Sequence, residues 1–286
     1  MRAVVAATAL VVGIALAGCA PQAESGGSSA SAEATGCTPE SLDTLAEGKI
    51  TVATGEPAYE PWVVGDDPAN GEGYESAVAY AVAEKLGYAK DDVVWTRTTF
   101  DGAIAPGPKD FDWNLQQYSI TSDREQAVDF SSPYYEVSQA VISTAGSPIA
   151  GATTVADLKN AKLGAAVGST SLNDAQEIIA PTTPVSVFND NAAAVTALKN
   201  GQIDGIVIDL PSAFYLTAAE LDDGVIVGQL PATASGEADE FGILLAKDSP
   251  LTACTSQAVD ALAADGTLAA LQDEWLGSAA GAPTLK

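Results

Sequence analysis

Between residues 49 and 277 short β-branched runs alternate with segments whose apolar residues recur at helical spacing. KITVAT (49–54) reads as a strand, YESAVAYAVAEKLGY (74–88) as a helix stopped at Gly87, and VVWTRTTF (93–100) as a strand. FDWNLQQYSIT (111–121) reads as a strand running out into a loop, and SQAVISTA (138–145) as a further strand. This β-α-β-α-β order predicts a mainly parallel sheet with covering helices. The rhythm then restarts. AKLGAAV (161–167), PVSVF (184–188), GIVIDL (205–210) and VIVGQL (225–230) read as strands, separated by helical SLNDAQEIIA, NAAAVTALKNG and PSAFYLTAAEL. FGILLAK (241–247) is again strand-like, and a helical stretch from Ser249 to Gly277 follows it.

The first nineteen residues, MRAVVAATALVVGIALAGC, carry one positive charge before an apolar run that is short for a bilayer span and ends in small residues. They resemble a bacterial lipoprotein signal, so residues 1–18 are expected to be removed and Cys19 to carry lipid, which would hold the chain on the outer face of the cell membrane. Residues 19–36 contain no large apolar side chain and are expected to form a flexible tether. In an exported chain the two remaining cysteines, Cys37 and Cys254, suggest a disulfide, with two buried thiols as the alternative. If they pair, the last helix returns to the first α/β unit. One lobe (37–141 and 242–286) is then interrupted by another (142–241), with two crossing strands and a cleft between them.

A formal charge of -26 excludes the clustered basic surface that nucleic-acid binding needs. The absence of histidine removes the commonest general base and metal ligand, so neither an enzyme nor a metal or cofactor site is expected. In open α/β sheets ligands sit beyond the carboxyl ends of the strands, and four loops fall there. SITSDR places Arg124, a forked permanent cation suited to a carboxylate, near Ser119 and Thr121; a surface pair with Asp123 or Glu125 is the alternative. Val167 to Ser171 (VGSTS) offers backbone N–H groups and hydroxyls, as an anion site or as an ordinary helix cap. Asp209 ends a buried apolar strand and either faces the cleft or caps the next helix. EPAYEPW (56–62) brings an acid and two aromatics, for the cleft or for packing within its own lobe. Together these groups complement a free amino acid.

The features YEPW, GEGYESAVAYAVAEKLG, SITSDREQAVDFSSPYY, VGSTS, LKNGQIDGIVID, EFGILLAK and LQDEW resemble the family 3 extracellular solute-binding proteins, receptors of ABC importers for polar amino acids, from Lys49 to Gly277. The resemblance implies a type II periplasmic-binding-protein-like α/β fold of two lobes. It also implies a monomer that hands a free amino acid to a membrane permease, with a receptor reporting to a separate signalling protein and a dehydratase as alternatives. It puts Arg124 and Ser119 on the ligand carboxylate, with Ser169 and the backbone of Thr170 approaching from the other lobe. Asp209 would take the ammonium, Tyr59 and Phe100 would sandwich the side chain with Trp62 nearby, and Glu56 would face it. Two departures stand out: Gln116 and Gln117 replace a smaller pocket floor, and Gly73-Tyr74-Glu75-Ser76-Ala77 lacks the family's second acid. A glutamine-like or other polar amino acid is expected first, a basic one second and an acidic one third.

Overall fold

The computed structural model describes residues 36–231, 239–277 and 281–286; the signal segment, Cys19 and the tether up to residue 35 lie outside the described residues. Two five-stranded sheets form two lobes. The first holds β1 (Ile50–Thr54), β2 (Val93–Arg97), β3 (Trp113–Asn114), β4 (Val128–Val137) and β10 (Asp239–Ala246), in the order β2-β1-β3-β10-β4. The second holds β5 (Gln139–Thr144), β6 (Leu163–Ala166), β7 (Ser186–Phe188), β8 (Gly205–Asp209) and β9 (Gly224–Gln229), in the order β7-β6-β8-β5-β9.

Strand alternation places the cores. In β8, Ile206 and Ile208 point to one face of the second sheet, onto α4 (Asn191–Lys199) and α5 (Leu210–Tyr215), while Val207 points to the other, beside Leu158 and Ile179. In the first sheet Ile50, Val52, Trp113 and Ile243 face α1 (Tyr74–Lys85), α6 (Thr252–Ala264) and α7 (Thr267–Leu276), with Ala53 and Leu244 on the opposite face. The Cys37–Cys254 disulfide forms, with Cα atoms 5.5 Å apart, and ties the start of the described chain to α6.

The sheets are mixed rather than mainly parallel. β1 runs parallel to β2 and β3, and β6 to β7 and β8, but β10 is antiparallel to β3 and β4, and β5 to β8 and β9. The cause is the crossing itself: the chain leaves the first lobe along β4 and re-enters it along β10, so the return strand must run the opposite way. The first crossing falls at Ser138, between Val137 and Gln139, so the expected boundary after residue 141 lies inside β5. Residues 281–286, expected in the first lobe, run beside β9 of the second. There Thr284 bridges Gln229, Leu285 is buried, and the Val155 N–H donates to the Lys286 carbonyl.

Two local readings also change. The strand expected through Phe100 ends at Arg97, because Thr99 accepts from the Gly102 N–H and caps a short helix, α2 (Phe100–Ile104). The final helical stretch breaks into α6 and α7 at Gly266, whose φ of 84° no ordinary helix residue adopts.

Candidate functional site

The carboxyl ends of β1, β6 and β8 and the loops that follow them meet in a cavity of about 90 Å³ between the lobes. The first lobe contributes Thr54, Tyr59, Phe100, Gln116, Gln117 and Arg124; the second contributes Ser169, Thr170, Asn189, Asp190 and Asp209.

Arg124 opens a short turn behind the SITS run and is 7% exposed. Its Nη1 donates to the Ser119 carbonyl at 2.7 Å and its Nη2 to the Gly168 carbonyl of the other lobe at 2.9 Å. Its guanidinium lies 5.4 Å from the centre of the Phe100 ring, which stacks on Tyr118 at 4.7 Å. None of the ion pairs among the described residues includes Arg124, so the surface pairing with Asp123 or Glu125 is absent. Burial pushes its pKa down, opposed by Tyr118 and by the carboxylates of Asp239, Asp209 and Asp101. A buried cation whose hydrogen bonds go to two neutral carbonyls gains most from an anion brought to its remaining N–H groups.

Asp209 ends β8 and makes no helix-capping hydrogen bond. Its Oδ1 accepts from Gln139 Nε2 at 2.7 Å, and Gln139 Oε1 accepts from Ser171 Oγ at 2.6 Å, which fixes the carboxylate's orientation. Burial raises its pKa to about 7, with the Gln139 bond and Arg124 opposing the shift and Asp239 and Asp174 adding to it. The cavity thus has a cation on one lobe and an ionisable acid on the other.

VGSTS divides its duties. The Ser169 hydroxyl accepts from the Leu172 N–H at 3.1 Å and donates to the Ala166 carbonyl, so it caps α3 (Thr170–Asp174). Gly168 has φ 68°, which favours glycine, and a Cβ there would lie 2.7 Å from Oδ1 of the exposed Asp101 side chain of the first lobe. Thr170 Oγ1 and Ser119 Oγ share a hydrogen bond of 3.1 Å across the cleft. Ser119 is 1% exposed and does not itself line the cavity; its carbonyl holds Arg124.

Two expected site residues sit elsewhere. Glu56 is exposed and outside the cavity lining. Trp62 is 1% exposed, packed edge-on against Tyr74, Tyr135 and Phe241, and donates from Nε1 to Ser212 Oγ of the second lobe at 2.8 Å. The reason lies at Gly73, where a Cβ would meet the Trp62 carbonyl at 2.5 Å. Pro61 and Trp62 accept from the first amides of α1, which pulls the loop onto the helix and turns the indole inward. Arg97 is likewise turned away from the cavity, pairing with Asp66 at 2.7 Å.

Glu75 stands out in the sequence only as part of the departure at Gly73 to Ala77, with no role at the site. It is 1% exposed, accepts from Tyr134 Oη at 2.5 Å and from the Gln117 N–H at 2.7 Å, and also receives the Gln117 side-chain amide. Gln117 is held at φ 54°, a conformation disfavoured for a side-chain-bearing residue, and Glu75 secures it there. The signal was present: Glu75 shares the helix face of Val78, Ala79, Val82 and Ala83, where an acid has no place unless it is paired. Asn189 and Asp190 were also missed, although they follow β7 as the other site loops follow their strands.

Burial raises the Glu75 pKa to about 7, while the bonds from Tyr134 and Gln117 oppose the shift. The folded protein therefore holds a proton there that the unfolded chain has lost, and stability rises as pH falls from about 7 towards 4.5. The expected gain is on the order of 3 kcal/mol. Thermal unfolding across pH 8 to 5 checks this: Asp209 and Asp174, also raised to about 7 by burial, add to the slope in the same direction, and Glu75→Gln should remove only the share of Glu75, so that an unchanged slope in that variant would assign the whole effect to the other two.

The L-arginine-binding protein of Pseudomonas aeruginosa is 29% identical over 241 residues, covering 82% of this chain and 91% of the relative. The L-cystine-binding protein TcyJ of Escherichia coli is 26% identical, covering 78% and 81%. A solved structure of an ancestral arginine-binding protein bound to glutamine superimposes with a TM-score of 0.66 at 29% identity, covering 81% of this chain and 99% of that one. The model for bacterial extracellular solute-binding proteins, family 3, matches residues 50–278. With two lobes, a cavity between them and a match over that length, the chain belongs to the bacterial extracellular solute-binding proteins of family 3.

Proposed function

We propose that the chain is a lipid-anchored extracellular receptor that closes on a free polar amino acid and presents it to the permease of an ABC transporter. The observation that carries this reading is the pairing of Arg124 and Asp209 across one cavity, the first without a carboxylate partner among the ion pairs of the described residues and the second without a capping role. A zwitterion satisfies both: its carboxylate meets the remaining guanidinium N–H groups and its ammonium meets Asp209. Closing the lobes over these two groups alone costs several kcal/mol of desolvation, so the ligand is what makes closure favourable. Such a site reaches micromolar affinity, about 8 kcal/mol.

The relatives named above for arginine and cystine support the amino-acid class. With Glu56 turned outward, the groups left to read the side chain are the amides of Gln116, Gln117 and Asn189 together with Asp190, which favours a glutamine-like ligand first and a basic one second. A dehydratase loses its best acid for the same reason, since Glu56 does not reach the cavity.

The test is a thermal-shift screen of the purified protein against the twenty amino acids, with the mass of the mature amino terminus reporting lipid on Cys19. A polar amino acid is expected to raise the melting temperature, and a flat response across the panel would end this reading. Because the ammonium binds the ionised form of Asp209, whose pKa before binding is about 7, affinity should fall about tenfold between pH 8 and pH 6.

A further inference from the structure

A second cavity of about 190 Å³, roughly twice the volume of the first, adjoins the amino-acid site, and Tyr59, Gln117 and Asn191 line both. It is a groove between α4 and α5 of the second lobe, roofed by Tyr59 and Glu60 of the first. Ala192, Val195, Ile208 and Leu216 give its wall an apolar stretch, beside Thr196 and Ser212. Lining residues at helical spacing on α4, from Asn191 to Lys199, advance about 12 Å along the helix. At the far end Lys199 and Glu220 lie 3.6 Å apart, both nearly half exposed, with Glu60 also on the lining.

A glutamine side chain is too short to cover this wall, and the charges beyond the wall repeat those of the first cavity, a cation beside acids. We propose that the groove is the second half of the binding site and that the ligand is a two-headed amino acid, an apolar stem with an amino-acid group at each end. This rests on the amino-acid reading of Arg124 and Asp209 and extends it. The near head binds there; the stem passes Tyr59 and Gln117 and covers Val195 and Leu216. The far carboxylate meets Lys199 and the far ammonium meets Glu220 and Glu60. A side chain ending in a simple cation would leave Lys199 facing a like charge. A dipeptide fails at the near end, where carboxylate and ammonium must leave the same carbon.

Isothermal titration of the full-length protein at pH 8 tests this with L-cystathionine and L-homocystine, whose stems are longer than the glutamine side chain, as two-headed probes and L-glutamine and L-arginine as single-headed ones. At least one two-headed probe is expected to bind ten or more times tighter than either single-headed one. Lys199→Met and Glu220→Gln, both at exposed positions, should lower that affinity at least fivefold, and by more than they lower glutamine affinity. Glutamine or arginine binding as tightly as both two-headed probes, or no selective effect of the two variants, overturns the two-headed ligand and leaves the amino-acid reading standing. Failure of all four probes together with a flat twenty-amino-acid screen overturns both.

Discussion

Replacing Arg124 with alanine is expected to weaken ligand binding by at least a hundredfold. Truncating one partner of a buried, hydrogen-bonded charge pair costs about 2–5 kcal/mol, part of it from leaving the ligand carboxylate desolvated and unpaired. The guanidinium also holds the lobes together, through Ser119 on one side and Gly168 on the other. The variant therefore loses both the anion partner and a contact that favours closure. The buried Ser119 carbonyl and the part-buried Gly168 carbonyl lose donors, so the melting temperature should drop by a few degrees without loss of the fold. Arg124→Lys separates the two effects: it restores charge but not the fork that reaches both carbonyls, and should recover only part of the affinity. Titration calorimetry on the two variants gives the answer, and an alanine variant within threefold of the parent would remove Arg124 from the site.

The second large effect falls on stability. The Cys37–Cys254 bond closes a span of 217 residues, nearly the whole folded chain. A cross-link of that reach restricts the unfolded ensemble strongly, and its loss costs about 2–5 kcal/mol. For a chain of this size that corresponds to a drop of about 5–15 °C in melting temperature. The double variant Cys37→Ser with Cys254→Ser should show it, whereas ligand affinity well below the transition should hold, because both cysteines pack on the core of the first lobe rather than on the cavity. An unchanged melting temperature would mean that the cross-link contributes nothing.

Much of the architecture could be read without coordinates because its signals are local. GIVIDL alternates its side chains across one sheet whatever surrounds it, and LKNG ends its helix by the same chemistry anywhere. Arg124 and Asp209 were also legible, since each follows a recognisable run and strand ends gather at one edge of an open sheet. The rotation of side chains within irregular loops was not. EPAYEPW sends Tyr59 into the cavity, Trp62 into the core and Glu56 to solvent, and nothing in those seven residues distinguishes the three fates. That of Trp62 follows from the close contact at Gly73, made by a different segment.

The amino-acid sequence by itself determined the two α/β units, because periodicity and strand ends are properties of short segments; it offered the cysteine pairing and the placing of Arg124 and Asp209 only beside alternatives. Only the tertiary structure decided the antiparallel return of β10, the docking of residues 281–286 on the second lobe, the hold of Glu75 on Gln117 and the groove beside the amino-acid site. Each of these depends on groups far apart in the chain, and their meeting is set by packing of whole elements rather than by the preferences of any one.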